Sequence, residues 1–157
     1  MIGLGTYAFF WQHSDRAPEP LSLRGAFEAT RALGVELFQI CDYAPLEHLG
    51  ERDLRDAAAA ARDLGLRIQL GTKGLTPDRL ERFLALADVF EARLVRSMIG
   101  GPDGIPPLDQ AETWVRTLIG AYERSGVTLA LETYEQVATS DLVELVRRVG
   151  SDRLGIC

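Results

Sequence analysis

The chain has 157 residues, of which 46% are hydrophobic and 25% are charged, the ordinary balance of a globular protein. Its formal net charge is −6, which disfavours a nucleic-acid partner because such proteins usually carry a basic stripe. The two cysteines, Cys41 and Cys157, make neither a disulfide framework nor a zinc pattern, so a cytoplasmic location is expected. The sequence has no apolar run near the ~20 residues that span a bilayer, and no membrane partner is expected.

Short apolar segments alternate with amphipathic stretches along the whole chain. The segments predicted to be strands are Ile2–Phe9, Val35–Ile40, Leu66–Leu70, Leu94–Met98, Val127–Leu131 and Leu154–Cys157. Because they are apolar almost throughout, they are typical of parallel strands covered on both faces. The helices predicted between them span Leu23–Leu33, Glu51–Leu64, Pro77 to about Phe90, about Leu108 to Arg124, and Ser140 to just before Gly150.

The rhythm of the strands indicates the architecture. Strand starts near residues 2, 35, 66, 94, 127 and 154 are 27 to 33 residues apart, and a (β/α)₈ barrel uses ~31 residues per unit. A doubly wound sheet has a similar rhythm, but its first strand leads into a glycine-rich turn, whereas here bulky Phe10-Trp11-Gln12-His13 follow. We therefore predict an α/β fold with one domain, residues 1–157, forming the N-terminal portion of a (β/α)₈ TIM barrel.

The predicted barrel is truncated after about five βα units and the start of strand six. Five units and a partial strand leave two open sheet edges, and open apolar edges pair with other chains. We therefore expect self-association through these edges.

Active sites of such barrels lie at the carboxyl ends of the strands. Glu132 ends an apolar predicted strand, and an ionised carboxylate at the rim of an apolar core costs several kcal/mol unless it is paired. Its partner could be a divalent metal, or it could be Arg96 in an ion pair without a catalytic role. Lys73 and Arg96 could hold an anionic or enediolate-like oxygen, or they could pair with Asp42 and Glu132.

Three further residues were considered, and two of them, His13 and Trp11, have two interpretations each. His13 could be a proton donor or hydrogen-bonding partner of a substrate, or an exposed loop residue. Trp11 could form an apolar wall against a substrate, or it could cap the core. His48 is expected to be a surface loop residue.

The segment Gly126-Val-Thr-Leu-Ala-Leu-Glu132-Thr-Tyr-Glu135, followed by Thr139-Ser140-Asp141-Leu142, resembles the xylose-isomerase-like TIM-barrel superfamily. That superfamily includes sugar-phosphate isomerases and epimerases and the AP endonuclease family 2 type. The opening segment Ile2–Trp11 and the predicted third and fourth strands are also similar to it, so the resemblance covers the whole chain.

The resemblance implies a divalent metal, Mn²⁺ or Mg²⁺, held by four side chains. Glu132 matches the family's ligand from the fifth strand and is expected to be catalytic as well, and the remaining ligands are expected beyond Cys157. Tyr134 stands where the family usually has histidine, which changes the rim of the substrate site. The residues expected to bind substrate are Trp11, His13, Lys73, Arg96, Tyr134 and Glu135.

The expected function is a metal-dependent sugar or sugar-phosphate isomerase or epimerase that works through an enediolate. There are two alternatives. One is a lyase of the inosose dehydratase type on the same scaffold, and the other is a non-catalytic half-barrel that self-associates. The DNA-repair branch is disfavoured by the acidic charge. Because one carboxylate alone binds Mn²⁺ or Mg²⁺ poorly, the chain by itself is expected to be inactive.

Overall fold

The computed structural model of the chain describes residues 2–157. Its strands are Leu4–Gly5 (β1), Leu37–Ile40 (β2), Arg67–Lys73 (β3), Leu94–Met98 (β4), Thr128–Leu131 (β5) and Leu154–Ile156 (β6). Its helices are Phe10–His13 (α1), Leu23–Ala32 (α2), Pro45–His48 (α3), Glu51–Asp63 (α4), Pro77–Val89 (α5), Leu108–Ser125 (α6) and Thr139–Val149 (α7). A 3₁₀ turn, Thr6–Phe9, joins β1 to α1.

The strands lie in the sheet in the same order as in the chain, β1-β2-β3-β4-β5-β6. The pairs β1–β2, β3–β4, β4–β5 and β5–β6 are parallel, and helices occupy each crossover. A doubly wound sheet would reverse its strand order at a switch point. The order therefore confirms the predicted fold class, a (β/α)₈ barrel represented by its first βα units and the start of a sixth strand.

The described chain divides into two compact units. One comprises residues up to Gln69 together with Val89–Glu91, and the other comprises Leu70–Asp88 together with Ala92–Cys157. That residues 1–157 form a single domain stays a prediction.

The first unit departs from the sequence prediction at its amino end, where the predicted strand Ile2–Phe9 is wrong in length. Only Leu4–Gly5 is extended, because the Thr6 hydroxyl accepts a hydrogen bond from the Cys41 amide (2.9 Å) and the chain then turns into a helix. The turn buries Phe9 against Phe38, with ring centroids 6.2 Å apart.

In the second unit, most of the predicted boundaries are confirmed within a residue or two. Gly126 and Gly150 end α6 and α7 in the left-handed conformation (φ 66° and 69°), which glycine adopts without steric cost. The third strand is longer than predicted. It continues past Leu70 to Lys73 because Thr72 and Lys73 still pair with β4.

The two faces of β4 differ sharply. Val95 and Ser97 are fully buried, whereas Leu94, Arg96 and Met98, on the other face, are only partly buried. Alternate residues of a strand point to opposite faces. One face of the second unit is therefore an apolar core, and the other face carries the polar residues discussed below.

Candidate functional site at the ends of β4 and β5

Arg96 and Glu132 meet on the partly exposed face. Arg96 pairs with Ala130 in the register of β4 and β5, and the Glu132 amide donates to the Ser97 carbonyl (2.9 Å) just after β5 ends. The Arg96 Nη1 donates to Glu132 Oε1 at 2.8 Å, and the two side chains are 24% and 26% exposed. Two partners were considered for Glu132, a divalent metal and Arg96. In the structure, Glu132 accepts a short charge-assisted hydrogen bond from Arg96.

The Arg96 guanidinium is only partly satisfied by this pair. A guanidinium has five N–H donors on three nitrogens. Nε is buried and has no acceptor among residues 2–157. Nη2 forms no hydrogen bond within the described chain either, although it is not among the buried atoms. The side chain therefore keeps donors that point away from its bond to Glu132.

Cys157 lies next to this pair and was not singled out from the sequence. Its amide donates to the Leu131 carbonyl and its carbonyl accepts from the Thr133 amide, both at 2.9 Å, which sets Cys157 level with Glu132. Burial raises the pKa of the Cys157 thiol, the charge of Arg96 opposes the rise, and the charge of Glu132 adds to it. Only the register of β5 and β6 reveals this neighbour, and the sequence does not define that register.

The other predicted residues of the second unit lie around the strand ends. Lys73 is the exposed last residue of β3, and Tyr134 (55% exposed) and Glu135 lie on the surface in the turn after β5. In the described chain, Tyr134 and Glu135 form no hydrogen bond or ion pair with Arg96 or Glu132. Their roles in substrate binding stay predictions.

In the first unit, His13 is not the exposed loop residue that one reading expected. His13 is the last residue of α1 and is half-buried. Its Nδ1 lies 2.6 Å from the Leu21 carbonyl oxygen, and the centroid of its ring lies 5.1 Å from that of Tyr43. A carbonyl can only accept, so Nδ1 carries the proton. Nε2 is buried and has no partner among residues 2–157. In the neutral ring, Nε2 is therefore an acceptor to which no group of the described chain donates.

Two other predictions concern the first unit. Trp11 does not cap the core, because it is 76% exposed, with its ring edge-on to Phe10 at 5.2 Å. His48 is exposed, as expected, but it ends the short helix α3 rather than lying in a loop.

Burial raises the pKa of Tyr43, the residue whose ring packs on His13.

The loops after β3, β4 and β5 are joined by hydrogen bonds. The Ser97 hydroxyl donates to the Gly74 carbonyl (2.8 Å), and the Gly100 amide donates to Gln136 Oε1 (2.8 Å). Gly101 lies so close to Gly74 that a Cβ on Gly101 would be 3.0 Å from the Gly74 Cα. Sequence reasoning missed Gln136, because no local pattern connects it to a loop 36 residues earlier.

A cavity of about 310 Å³ lies within the second unit, among the loops after β3 and β4. Its lining includes Lys73, Arg79, Asp103, Gln110 and Trp114. The Arg79 Nη1 donates to the Thr72 hydroxyl (3.0 Å), which fixes one side of the cavity.

The described residues do not by themselves form a metal centre. Residues 2–157 contain no group of three or more His, Cys, Asp or Glu side chains that could hold an ion. Glu132 offers one carboxylate, and Arg96 occupies its Oε1. Since Mn²⁺ and Mg²⁺ require several converging oxygens, this chain could supply at most part of such a site.

Comparisons with known proteins were made for the whole chain. No protein-family model matches it. It is 42% identical over 156 residues to the 3-oxo-isoapionate decarboxylase of Pectobacterium atrosepticum, covering 99% of this chain and 57% of that protein. The chain thus spans little more than half the length of this curated relative.

Solved structures show the same architecture. A xylose isomerase-like TIM barrel protein from Mycobacterium smegmatis, in complex with magnesium, aligns with a TM-score of 0.78 and 20% identity. That alignment covers 99% of this chain and 63% of the other. D-Psicose 3-epimerase, solved in the presence of D-fructose, aligns with a TM-score of 0.76 and 13% identity, covering 98% of this chain and 61% of the other.

In residues 2–157, no helix combines the length and the apolar character needed to cross a membrane.

Strand order, crossover helices and structural likeness agree with one another. The chain therefore carries six successive strands of a TIM-barrel fold, and the solved structures that it resembles include xylose isomerase-like TIM-barrel proteins, as the resemblance in its sequence predicted.

Proposed function

We propose that the whole protein decarboxylates a sugar-derived 3-oxo acid through an enediolate. The observation that carries the proposal is the 42% identity, over nearly the whole of this chain, to a protein named 3-oxo-isoapionate decarboxylase. Because the chain spans 57% of that relative, the activity is assigned to the whole protein. We propose that it acts in the cytoplasm on a small carbohydrate, with no nucleic-acid partner.

The chemistry of a 3-oxo acid explains why an isomerase-like scaffold suits this reaction. Cleavage of the bond between the carboxylate and the adjacent carbon releases CO₂ and leaves its electron pair on that carbon. The neighbouring carbonyl accepts the pair as an enolate, which is an enediolate when the carbon carries a hydroxyl. One proton is then added to carbon. Isomerases and epimerases form the same type of intermediate by removing a proton instead.

A divalent metal, Mn²⁺ or Mg²⁺, would supply Lewis-acid stabilisation of the developing negative oxygen. We propose Glu132 as one of its ligands, with the others beyond Cys157, because a carboxylate has a second oxygen besides the one bonded to Arg96. The magnesium in the M. smegmatis structure supports this choice of cation. As a catalytic residue, the Glu132 carboxylate would also hold or move the proton exchanged at carbon.

Other side chains are proposed to bind the substrate. In the first unit, His13 and Trp11 are proposed to contact the substrate, and the exposed Trp11 ring can stack on the C–H face of a sugar. In the second unit, Lys73 offers a positive charge, and Tyr134 and Glu135 offer a hydroxyl and a carboxylate at the surface.

Isomerisation or epimerisation of a sugar or sugar phosphate is the second candidate. It is favoured by the position of Glu132, a carboxylate suited to proton transfer, at the end of β5. A lyase of the inosose dehydratase type would begin with the same proton abstraction.

The products distinguish these candidates. The whole protein is incubated with Mn²⁺ and 3-oxo-isoapionate, then with a ketose such as D-psicose, and then with an inosose. Released CO₂ and formation of a ketose from the acid are the expected results. Epimer formation or dehydration without CO₂ release would favour the second candidate instead. The chain alone is expected to give no turnover with any of them unless a second polypeptide supplies the remaining strands.

The non-catalytic alternative, a half-barrel that self-associates through open sheet edges, is tested separately. Light scattering on the purified chain is expected to detect oligomers. A stable monomer would count against association through these edges.

A further inference from the structure

Arg96 stands in a row of small residues. The register places Gly71 on β3, Arg96 on β4, Ala130 on β5 and Gly155 on β6 side by side. Residues paired across neighbouring strands point to the same face of a sheet. The row therefore contains one large side chain and three positions with a methyl group or no side chain. Gly71 and Ala130 are themselves buried, whereas the Arg96 side chain is 24% exposed, so a ligand would meet the guanidinium rather than the sheet surface.

The bond to Glu132 leaves most of the guanidinium unused. Only Nη1 has a hydrogen-bond partner, and Nη2 has none among residues 2–157 although it is not buried. An arginine that serves only as a structural partner commonly binds a carboxylate with two parallel bonds, because its fork matches the two oxygens. Here Nη2, which is not buried and has no partner among residues 2–157, is available to a ligand.

We infer that Arg96 selects an acidic substrate by donating from its free Nη2 to the substrate carboxylate. A ligand can reach Nη2 because this atom is not among the buried atoms, and the bond from Nη1 keeps Glu132 in place. The ligand class is a short sugar acid with one carboxylate. A doubly charged phosphate would be repelled more strongly by the neighbouring Glu132. This inference rests on the proposed function, whose substrate is a carboxylic acid.

The test compares an acid with a neutral molecule of the same carbon skeleton. L-Threonate and L-threitol are titrated into the protein by calorimetry. Threonate is expected to bind, and Arg96→Gln is expected to weaken it about 10- to 100-fold, the range for a lost hydrogen bond to a charged group. Arg96→Lys, which keeps the charge but loses the fork, is expected to recover only part of the affinity. Threitol binding is expected to be equal in all variants.

Arg93→Gln is the matched control, because Arg93 is exposed, lies just before β4, and bonds to the Ser125 carbonyl. It is expected to leave threonate binding unchanged. Equal losses in Arg93→Gln and Arg96→Gln, no effect of Arg96→Gln, or no threonate binding by the unaltered protein would each overturn the inference. Circular dichroism shows whether each variant is folded. If Arg96→Gln does not fold, the threonate affinity of Arg96→Lys is used instead, and an affinity equal to that of the unaltered protein would overturn the inference.

Failure of the inference and failure of the proposed function can be told apart. If threonate binding depends on Arg96 but the whole protein releases no CO₂ from 3-oxo acids, the proposed decarboxylation is wrong and the inference that Arg96 binds an acid is kept. If CO₂ is released and Arg96→Gln leaves the KM for the acid unchanged, the reaction stands and Arg96 does not select the acid.

Discussion

Arg96 and Ser97 are neighbours in β4, yet they lie in opposite environments. The Ser97 side chain is completely buried, and its hydroxyl donates to the Gly74 carbonyl at 2.8 Å. The Arg96 side chain is 24% exposed, and within residues 2–157 only one of its three guanidinium nitrogens has a partner. The buried face satisfies its polar groups internally, whereas the opposite face leaves donors available.

This difference separates stability from function. Buried polar groups must be paired because an unpaired one costs free energy, so the pairing of Ser97 reflects the needs of the fold. Incomplete pairing on the Arg96 face is expected of groups that bind a ligand. Substitutions on the two faces should therefore act on different properties.

The largest effect is expected from Glu132→Gln. Loss of a group that transfers a proton lowers rates about 10²- to 10⁴-fold, and turnover by the whole protein should fall by that factor. The kcat and KM for CO₂ release are measured. Glu81→Gln, on the exposed surface of α5, is the control and should retain full activity. Equal activity of Glu132→Gln and the unaltered protein would remove Glu132 from the catalytic machinery.

The second largest effect is expected from Leu131→Ala. Leu131 is fully buried and pairs with Ser97 across β4 and β5. Truncation of a fully buried leucine costs about 2–5 kcal/mol, measured as the free energy of unfolding in urea. Met98→Ala, on the other face of β4, should cost clearly less because Met98 is only partly buried. Equal costs for the two substitutions would contradict the distinction between the faces.

Gly101→Ala should destabilise the protein by about 1–3 kcal/mol, the usual cost of overpacking. Its Cβ would lie 3.0 Å from the Gly74 Cα and 3.1 Å from the Lys73 carbonyl oxygen, both backbone atoms that cannot rotate away. Gly155→Ala is the matched control, because a Cβ there would meet no atom of the described chain within 4 Å. A Tm for Gly101→Ala equal to that of Gly155→Ala would show that the loops after β3 and β4 are not in close contact.

Ser97→Ala should cost about 1 kcal/mol, because the Gly74 carbonyl loses a buried hydrogen bond. Thr113→Ala, which removes an exposed hydroxyl that donates to the carbonyl one turn earlier, should cost less. Both are measured as free energies of unfolding in urea. A neutral Ser97→Ala would indicate that this bond contributes nothing to stability.

The smallest effect concerns the Cys157 thiol, which reports on its charged neighbours. Because its pKa is raised, less thiolate is present at a given pH, and alkylation by iodoacetamide should require a higher pH than for an ordinary thiol. Arg96→Gln removes a charge that lowers this pKa and should slow alkylation further, whereas Glu132→Gln should speed it. Cys41 is buried and is not expected to compete. Unchanged rates in both variants would place the thiol away from the pair.

Much of the fold could be predicted because its signals are local. Glycines after helices, such as Gly126 and Gly150, define helix ends through their own conformation. Glu132 was found because it directly follows an apolar strand. The length of the first strand could not be predicted, because it depends on a hydrogen bond between Thr6 and Cys41, 35 residues apart. Cys157 and Gln136 were missed for the same reason, since only long-range pairing brings them to the strand ends.

The most direct test of the account is the free energy of unfolding of Arg96→Gln, Glu132→Gln and the double variant. If the pair lies on a functional face that stays open to water, each single substitution should change stability by less than about 1 kcal/mol, because water solvates the charge left behind as it does for solvent-exposed ion pairs. If the pair holds the fold together, each single substitution should cost about 3–5 kcal/mol because it leaves an uncompensated charge, and the double variant should recover much of the loss. We expect the small changes; losses of about 3–5 kcal/mol that the double variant recovers would show that the pair is structural.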